Sequence, residues 1–207
     1  MTDLPENVCL SSDGTGVIIL DQTQLPARRV FLTLTTAREM YEAIHALRVR
    51  GAPAIGVCAG MCLSALAHQR PHRERPAFDT WLREQADYLA SSRPTAVNLS
   101  WALRRMTSLL ELPLPLPELL DRLEAEALAI QAEDMDMCEK ISRYGLSLLH
   151  PGDGVLTHCN AGPLATSCYG TGQGPLHLAA KEGFPLKIFA DETRPLLQGA
   201  RLTAYEL

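Results

Sequence analysis

One cysteine, two arginines and a glutamine carry most of the chemistry this sequence offers. Cys159 closes a short apolar run, Gly154-Val155-Leu156-Thr157-His158, and is followed by Asn160-Ala161-Gly162-Pro163. A short apolar run bounded by turn residues reads as a buried parallel strand. In open α/β sheets, small molecules bind beyond the carboxyl ends of such strands. The pattern predicts a thiol delivered to the N-terminus of a following helix, whose dipole favours thiolate. Three roles stay open for Cys159: a core thiol, a nucleophile, or a proton-transfer group. His158 is expected on the opposite face of the strand, and no histidine follows at a recognisable protease spacing. Papain-like chemistry is therefore weak, while thiol acid–base work remains available.

The arginines precede two predicted helix starts. Arg50-Gly51-Ala52-Pro53 places proline near a first helical position. Free N–H groups and positive dipole character suit an anion there, and Arg50 adds a charged fork. The plainer alternative is a loop glycine ahead of a buried helix. Arg93-Pro94-Thr95 repeats the theme, with Thr95 and Asn98 available as caps. Two such starts together favour a single anionic ligand. Asp191-Glu192-Thr193-Arg194 ends the second predicted strand and so reaches the same sheet edge as Cys159. Gln198 follows near the next helix start and can hydrogen-bond a sugar hydroxyl. An Asp191–Arg194 ion pair bracing the turn is the competing reading. Gly170-Thr171-Gly172-Gln173-Gly174 with Asp191 imitates a dinucleotide fingerprint, but its spacing and its distance from the strand argue against a nicotinamide cofactor.

The elements that must position these groups fall into two stretches. Residues 17–20 and 29–34 have strand composition. Thr36 and Glu39 form a capping box ahead of Met40, Tyr41, Ile44 and Leu47. Further helices carry Trp81, Leu82, Tyr88 and Leu89, then Val97, Trp101, Leu103, Met106 and Leu110. A long helix follows, with Leu120, Leu123, Ala127, Ile130, Met137, Ile141 and Tyr144 on or near one face. Pro151-Gly152-Asp153-Gly154 breaks that pattern and sets a domain boundary, giving domains 1–150 and 151–207. Beyond it the order is strand 155–158, helix 163–182, strand 186–190 and helix 195–205. Two βα units cannot make a two-sided parallel sheet, so the second domain reads as unfinished.

Composition narrows the classes. The 207 residues are 46% apolar, which supports a real core, and the net charge of -5 argues against a general nucleic-acid binder. The basic stretch 68–75 reads as a solvated loop. The six cysteines include no CxxC pair. Cys58 and Cys62, one helical turn apart among small apolar residues, suggest buried packing rather than zinc. Residues 51–67 carry no charge, yet their Ala, Gly and Cys content suits a buried helix better than a membrane span. With no signal peptide ahead of Met1, a reduced cytoplasmic protein is expected.

Taken together, Asp21-Gln22-Thr23-Gln24-Leu25-Pro26, Arg50-Gly51-Ala52-Pro53-Ala54-Ile55-Gly56, Arg93-Pro94-Thr95-Ala96-Val97-Asn98-Leu99, Thr157-His158-Cys159-Asn160-Ala161-Gly162 and Ala190-Asp191-Glu192-Thr193-Arg194-Pro195-Leu196-Leu197-Gln198-Gly199 resemble the methylthioribose-1-phosphate isomerases. Weaker forms occur in ribose-1,5-bisphosphate isomerases and in regulatory subunits of the translation-initiation exchange factor. The resemblance implies an α/β fold: a small N-terminal β-sheet and helical bundle, then the first two βα units of an incomplete Rossmann-like domain. It implies conversion of 5-methylthioribose 1-phosphate to 5-methylthioribulose 1-phosphate in methionine salvage, with no metal or organic cofactor. Cys159 would be the catalytic thiol, and Arg50, Gly51, Ala52, Arg93 and Gln198 would bind substrate. The family's catalytic aspartate and a following Asn-Lys pair fall beyond residue 207, so little turnover is expected of this chain alone. Expected partners are a sugar phosphate and a second copy in a homodimer, with neither nucleic acid nor membrane. The alternatives are a ribose-1,5-bisphosphate-type isomerase and a non-enzymatic sugar-phosphate or nucleotide sensor, which would not need Cys159.

Overall fold

A computed structural model describes residues 7–69, 74–194 and 196–207. Residues 70–73 of the basic stretch, and Pro195, where the last helix was expected to begin, lie outside the described residues. Strands β1 (Val8–Leu10), β2 (Val17–Leu20) and β3 (Phe31–Leu34) form an antiparallel sheet in that order. Val8 pairs with Ile19, and Val17 with Leu34. These four side chains are buried and face the helices, so the sheet caps the helical core.

The helices are α1 (Ala37–His45), α2 (Ala52–Gln69), α3 (Arg75–Ser91), α4 (Val97–Ser108) and α5 (Leu116–Leu146). The Thr36–Glu39 capping box starts α1 as expected. The uncharged α2 is the axis of the core, with residues 54–67 all buried. Its small side chains explain why: they let α4 and α5 approach closely, Gly56 against Asn98 and Gly60 against Ile130. Among the described residues it is long and apolar enough to cross a membrane, but here its apolar surface is covered by protein. Cys58 and Cys62 lie inside it with their sulfurs 3.7 Å apart.

The structure revises the long helix. Its buried face runs Leu119, Leu123, Ala127, Ile130, Asp134, Cys138, Ser142 and Leu146, while Met137, Ile141 and Tyr144 are exposed. The expected stripe extended the apolar pattern of the first half into the second. There the buried face becomes small and polar, because Ser142 and Gly145 lie directly beneath Gly174 and Pro175 of the next helix. Asp134 accepts the Ser167 N–H at 2.7 Å, which places a polar residue on the inner face.

Strands β4 (Gly154–Thr157) and β5 (Lys187–Ala190) pair in parallel, Gly154 opposite Lys187 and Thr157 opposite Ala190. Between them the chain makes a 3₁₀ turn, Pro163–Ala165, and α6 (Gly174–Glu182). The continuous helix expected over 163–182 is therefore not formed. Segment 166–173 folds back as a loop, with Thr171 and Gln173 N–H groups on the Ala161 carbonyl and Gly170 at φ 88° against Ala161 and Gly162. The dinucleotide-like glycines belong to this loop. After β5, a π-helical turn, Gly199–Thr203, runs into α7 (Ala204–Glu206), shorter than the expected helix over 195–205. Leu197 at φ 52° is incompatible with an upstream extension. Leu156 and Phe189 remain 66% and 57% exposed, so the two-stranded sheet has an uncovered apolar face.

Candidate active site

Residues 21–26 tie the N-terminal sheet to the later segments. Gln22 Nε2 donates to the Leu164 carbonyl at 2.7 Å, and Arg201 donates to the Gln22 carbonyl at 2.9 Å. Leu20, Leu25, Leu164 and Leu202 pack together beneath these bonds. A cleft of about 480 Å³ is lined by Arg50, Gly51, Ala52, Arg93 and Gln198, among others. Five of the six residues singled out from sequence thus share one cavity. A larger groove of about 670 Å³, lined by residues such as Arg83, Asp87 and Arg104 of α3 and α4, includes none of them.

The sixth residue, Cys159, adjoins the cleft through Thr193. The Thr193 hydroxyl lies 3.6 Å from the Cys159 sulfur and 3.0 Å from Gln198 Oε1. Gln198 is held in turn by its neighbours, since the Glu192 carboxylate accepts the Gly199 and Ala200 N–H groups at 3.2 and 2.6 Å. The loop that follows β4 leaves Cys159 away from an α-helix N-terminus. The expected dipole activation of the thiol has no structural basis here, because α6 starts only at Gly174.

Backbone strain concentrates at this place. Among the described residues, the non-glycine positions with positive φ are Leu47 (59°), Cys159 (59°) and Leu197 (52°). Leu47 lines the cleft, and Leu197 lies between two lining residues, Leu196 and Gln198. Each such torsion costs about 1–2 kcal/mol for an L-residue, and sites where it persists are enriched in function.

Arg50 is the most constrained group in the cleft. Its Nη1 donates to Asn160 Oδ1, and its Nη2 donates to the Asn160 carbonyl at 3.0 Å. Burial pulls its pKa down, opposed by the nearby Cys159 thiol and Glu206 carboxylate. Asn160 donates to Glu206 Oε2 and to Thr203 Oγ1. The Thr203 hydroxyl donates to the Cys159 carbonyl at 2.5 Å, which braces the left-handed turn. Glu206 Oε1 accepts the Leu164 N–H at 2.6 Å. Gln173 Oε1, buried and unpartnered, borders the same carboxylate across Gly162. Burial pushes the Glu206 pKa up to about 7, against the bonds from Leu164 and Asn160 and the Arg50 charge.

Two local expectations are revised. Thr95 and Asn98 do not cap α4; its cap residue is Ala96, without a side-chain bond. Asp191 pairs with His158 Nδ1 at 2.9 Å rather than with Arg194. Sequence reasoning also assigned no role to Thr193, Thr203 or Glu206; Thr193 lies inside the Asp191–Arg194 segment, while Thr203 and Glu206 fall within no chemical spacing pattern. Only the folded chain brings Thr193 to the Cys159 sulfur, Thr203 to the Cys159 carbonyl and Glu206 to Asn160.

An α/β chain that gathers two arginines, a glutamine and a strained cysteine around one cleft is equipped to hold a small anionic ligand. The chain belongs to the Initiation factor 2 subunit family, whose model matches residues 48–207. It is 54% identical over 199 residues to a methylthioribose-1-phosphate isomerase from Parabacteroides distasonis, covering 95% of this chain and 59% of the relative. It is 49% identical over 209 residues to a 5-deoxyribose 1-phosphate isomerase from Petrotoga mobilis, covering 100% and 60%. The crystal structure of 5-methylthioribose 1-phosphate isomerase from Pyrococcus horikoshii OT3 superposes with a TM-score of 0.93 at 37% identity, covering 99% of this chain and 57% of that one. The chain thus spans between half and two thirds of the length of the proteins it matches.

Proposed function

We propose that this chain supplies the phosphate-binding cleft and the catalytic thiol of an aldose–ketose isomerase acting on 5-methylthioribose 1-phosphate in methionine salvage. The observation that carries this reading is the single cleft lined by Arg50, Gly51, Ala52, Arg93 and Gln198, with Cys159 one side chain away. Arg50 and Arg93 would hold the phosphate, with the first-turn N–H groups of α2 beside it. Gln198 would bind a sugar hydroxyl. In the reaction the bond from C1 to the ring oxygen breaks, and the ring oxygen gains a proton. The C2 hydrogen moves to C1 while the C2 hydroxyl loses its proton, so nothing is oxidised or reduced overall. Cys159 is the proton-transfer group on this side of the sugar.

The same reading takes residues 151–207 as the opening of a Rossmann-like domain after an N-terminal domain of residues 1–150. It takes the protein as cytoplasmic and homodimeric, with neither nucleic acid nor membrane as partner. The reading also takes a second proton-transfer group to lie outside these 207 residues, in the part of the relatives that this chain does not cover. Loss of one such group costs about 10²–10⁴-fold in rate, so the isolated chain should turn over poorly. The 49% identity to a 5-deoxyribose 1-phosphate isomerase supports a second reading, in which the C5 substituent is hydrogen instead of methylthio.

Both sugars should be offered to protein expressed from the complete reading frame, with the ketose 1-phosphate product quantified. Conversion that Cys159→Ala abolishes, while calorimetric binding of the sugar phosphate survives, is the expected result. Binding without conversion in the unmutated protein would replace the isomerase by a sugar-phosphate sensor. The ratio of kcat/KM for the two sugars decides between the substrates.

A further inference from the structure

The buried carboxylate at Glu206 has no place in the proposed chemistry, yet it borders the Arg50 site. We propose that Glu206 is a positioning residue: acting through Asn160, it sets the Arg50 guanidinium in the cleft. This rests on the reading of Arg50 as a phosphate ligand. The argument is one of hydrogen-bond accounting. A carboxamide has two N–H donors and one acceptor oxygen. Both Asn160 donors are committed, one to Glu206 Oε2 and one to Thr203 Oγ1. Its Oδ1 must therefore point the other way, where Arg50 Nη1 meets it. Turning the carboxamide over would aim its NH₂ at a guanidinium and its oxygen at a carboxylate, and both contacts repel. Glu206 Oε2, accepting from Asn160, is what selects the working orientation. The Asn160 carbonyl then takes Arg50 Nη2 at 3.0 Å, so the fork is held at both tips and its remaining donors are left for the ligand.

The space for this bridge is built into the chain. A Cβ at Gly162 would lie 2.6 Å from Glu206 Oε2 and 2.5 Å from Gln173 Oε1. The backbone N–H of Leu164 anchors the other carboxylate oxygen at 2.6 Å. Asn160 is 6% exposed, so water does not substitute for a lost partner. The charge acting on Glu206 is that of Arg50, ahead of α2; Arg50 in turn feels Cys159 after β4, Glu206, Arg201 and Arg93, and the Arg201 guanidinium donates to the carbonyls of Gln22, Leu25 and Leu196.

The test uses protein from the complete reading frame and three variants: Glu206→Gln, Asn160→Ser and the double mutant. In each single variant, KM for 5-methylthioribose 1-phosphate should rise about 10- to 100-fold, the loss of a bond to a charged group, while kcat changes less than about threefold. The double mutant should be no worse than either single, since both cut one bridge. Additive losses, or an unchanged KM in Glu206→Gln, would overturn the proposal. Independently of activity, the restrained Arg50 guanidinium should give resolved Hη signals in ¹⁵N NMR that Glu206→Gln removes. Their persistence in that variant would also overturn it. If the unmutated protein isomerises no sugar phosphate, the functional reading fails, and the Arg50 signals alone decide on Glu206.

Discussion

Gly51→Ala isolates the close approach of a cleft residue, Gly51, to the backbone of Ala165. Gly51 has φ 90°, and a Cβ built on it lies 2.5 Å from both the Cα and the carbonyl oxygen of Ala165. The torsion alone costs an L-residue about 1–2 kcal/mol. Relieving the clash requires backbone to move by almost an ångström, and overpacking of that kind costs about 1–3 kcal/mol. The total, about 2–5 kcal/mol, is a large share of a domain's usual margin of about 5–15 kcal/mol. Gly152→Ala is the control, because Gly152 has the same torsion, φ 91°, with nothing within 4 Å of its Cβ position. Urea denaturation followed by circular dichroism should show both variants destabilised, Gly51→Ala by at least about 1 kcal/mol more. The substitution also pushes the α2 entrance away from the 3₁₀ turn Pro163–Ala165, so sugar-phosphate binding should weaken in Gly51→Ala and not in Gly152→Ala. Equal destabilisation of the two would refute the close-approach argument.

Glu206 has a folded pKa of about 7 against an ordinary 4.5. The folded state therefore binds this proton more tightly than the unfolded one, and stability falls as pH rises from 4.5 to 7, by at most about 3 kcal/mol. The stability difference between pH 5 and pH 8, measured by denaturant titration, should shrink in Glu206→Gln; an unchanged difference refutes the assignment. Arg105 bonds Glu126 at 2.6 Å and Glu133 at 2.7 Å while its guanidinium lies 5.5 Å from the Trp101 ring centroid. Arg105→Ala should cost about 1–2 kcal/mol of stability in low salt and less in 1 M NaCl, as expected of a partly solvated α4–α5 clamp. A loss that does not depend on salt would locate its contribution in packing.

The parts of the fold legible in the sequence were those set by local chemistry. The Thr36–Glu39 box, the buried α2 and the parallel β4–β5 pair all rest on patterns within a few residues. The Arg50 and Arg93 helix starts were legible for the same reason, as was the strand end carrying Cys159. What could not be read depended on contacts between distant segments. The polar inner face at Asp134, Cys138 and Ser142 follows from the loop and α6 that cover it. The break at Thr166 follows from Gly170 folding onto Ala161. Glu206 gains its significance only because α7 returns to Asn160 and Leu164.

The bond between Arg50 and Asn160 spans 110 residues of chain, and this fixes when the cleft can exist during synthesis. Translation proceeds at about 5–20 residues per second, so Arg50 leaves the ribosome roughly 5–20 s before Asn160 does. The α2-centred core can assemble in that interval, with the guanidinium still hydrated. Glu206 arrives later again and completes the support. The Arg50–Asn160 contact thus forms only after the residues that build the helical core have been made. Any ligand held by that contact can stabilise it by mass action only once both segments are in place.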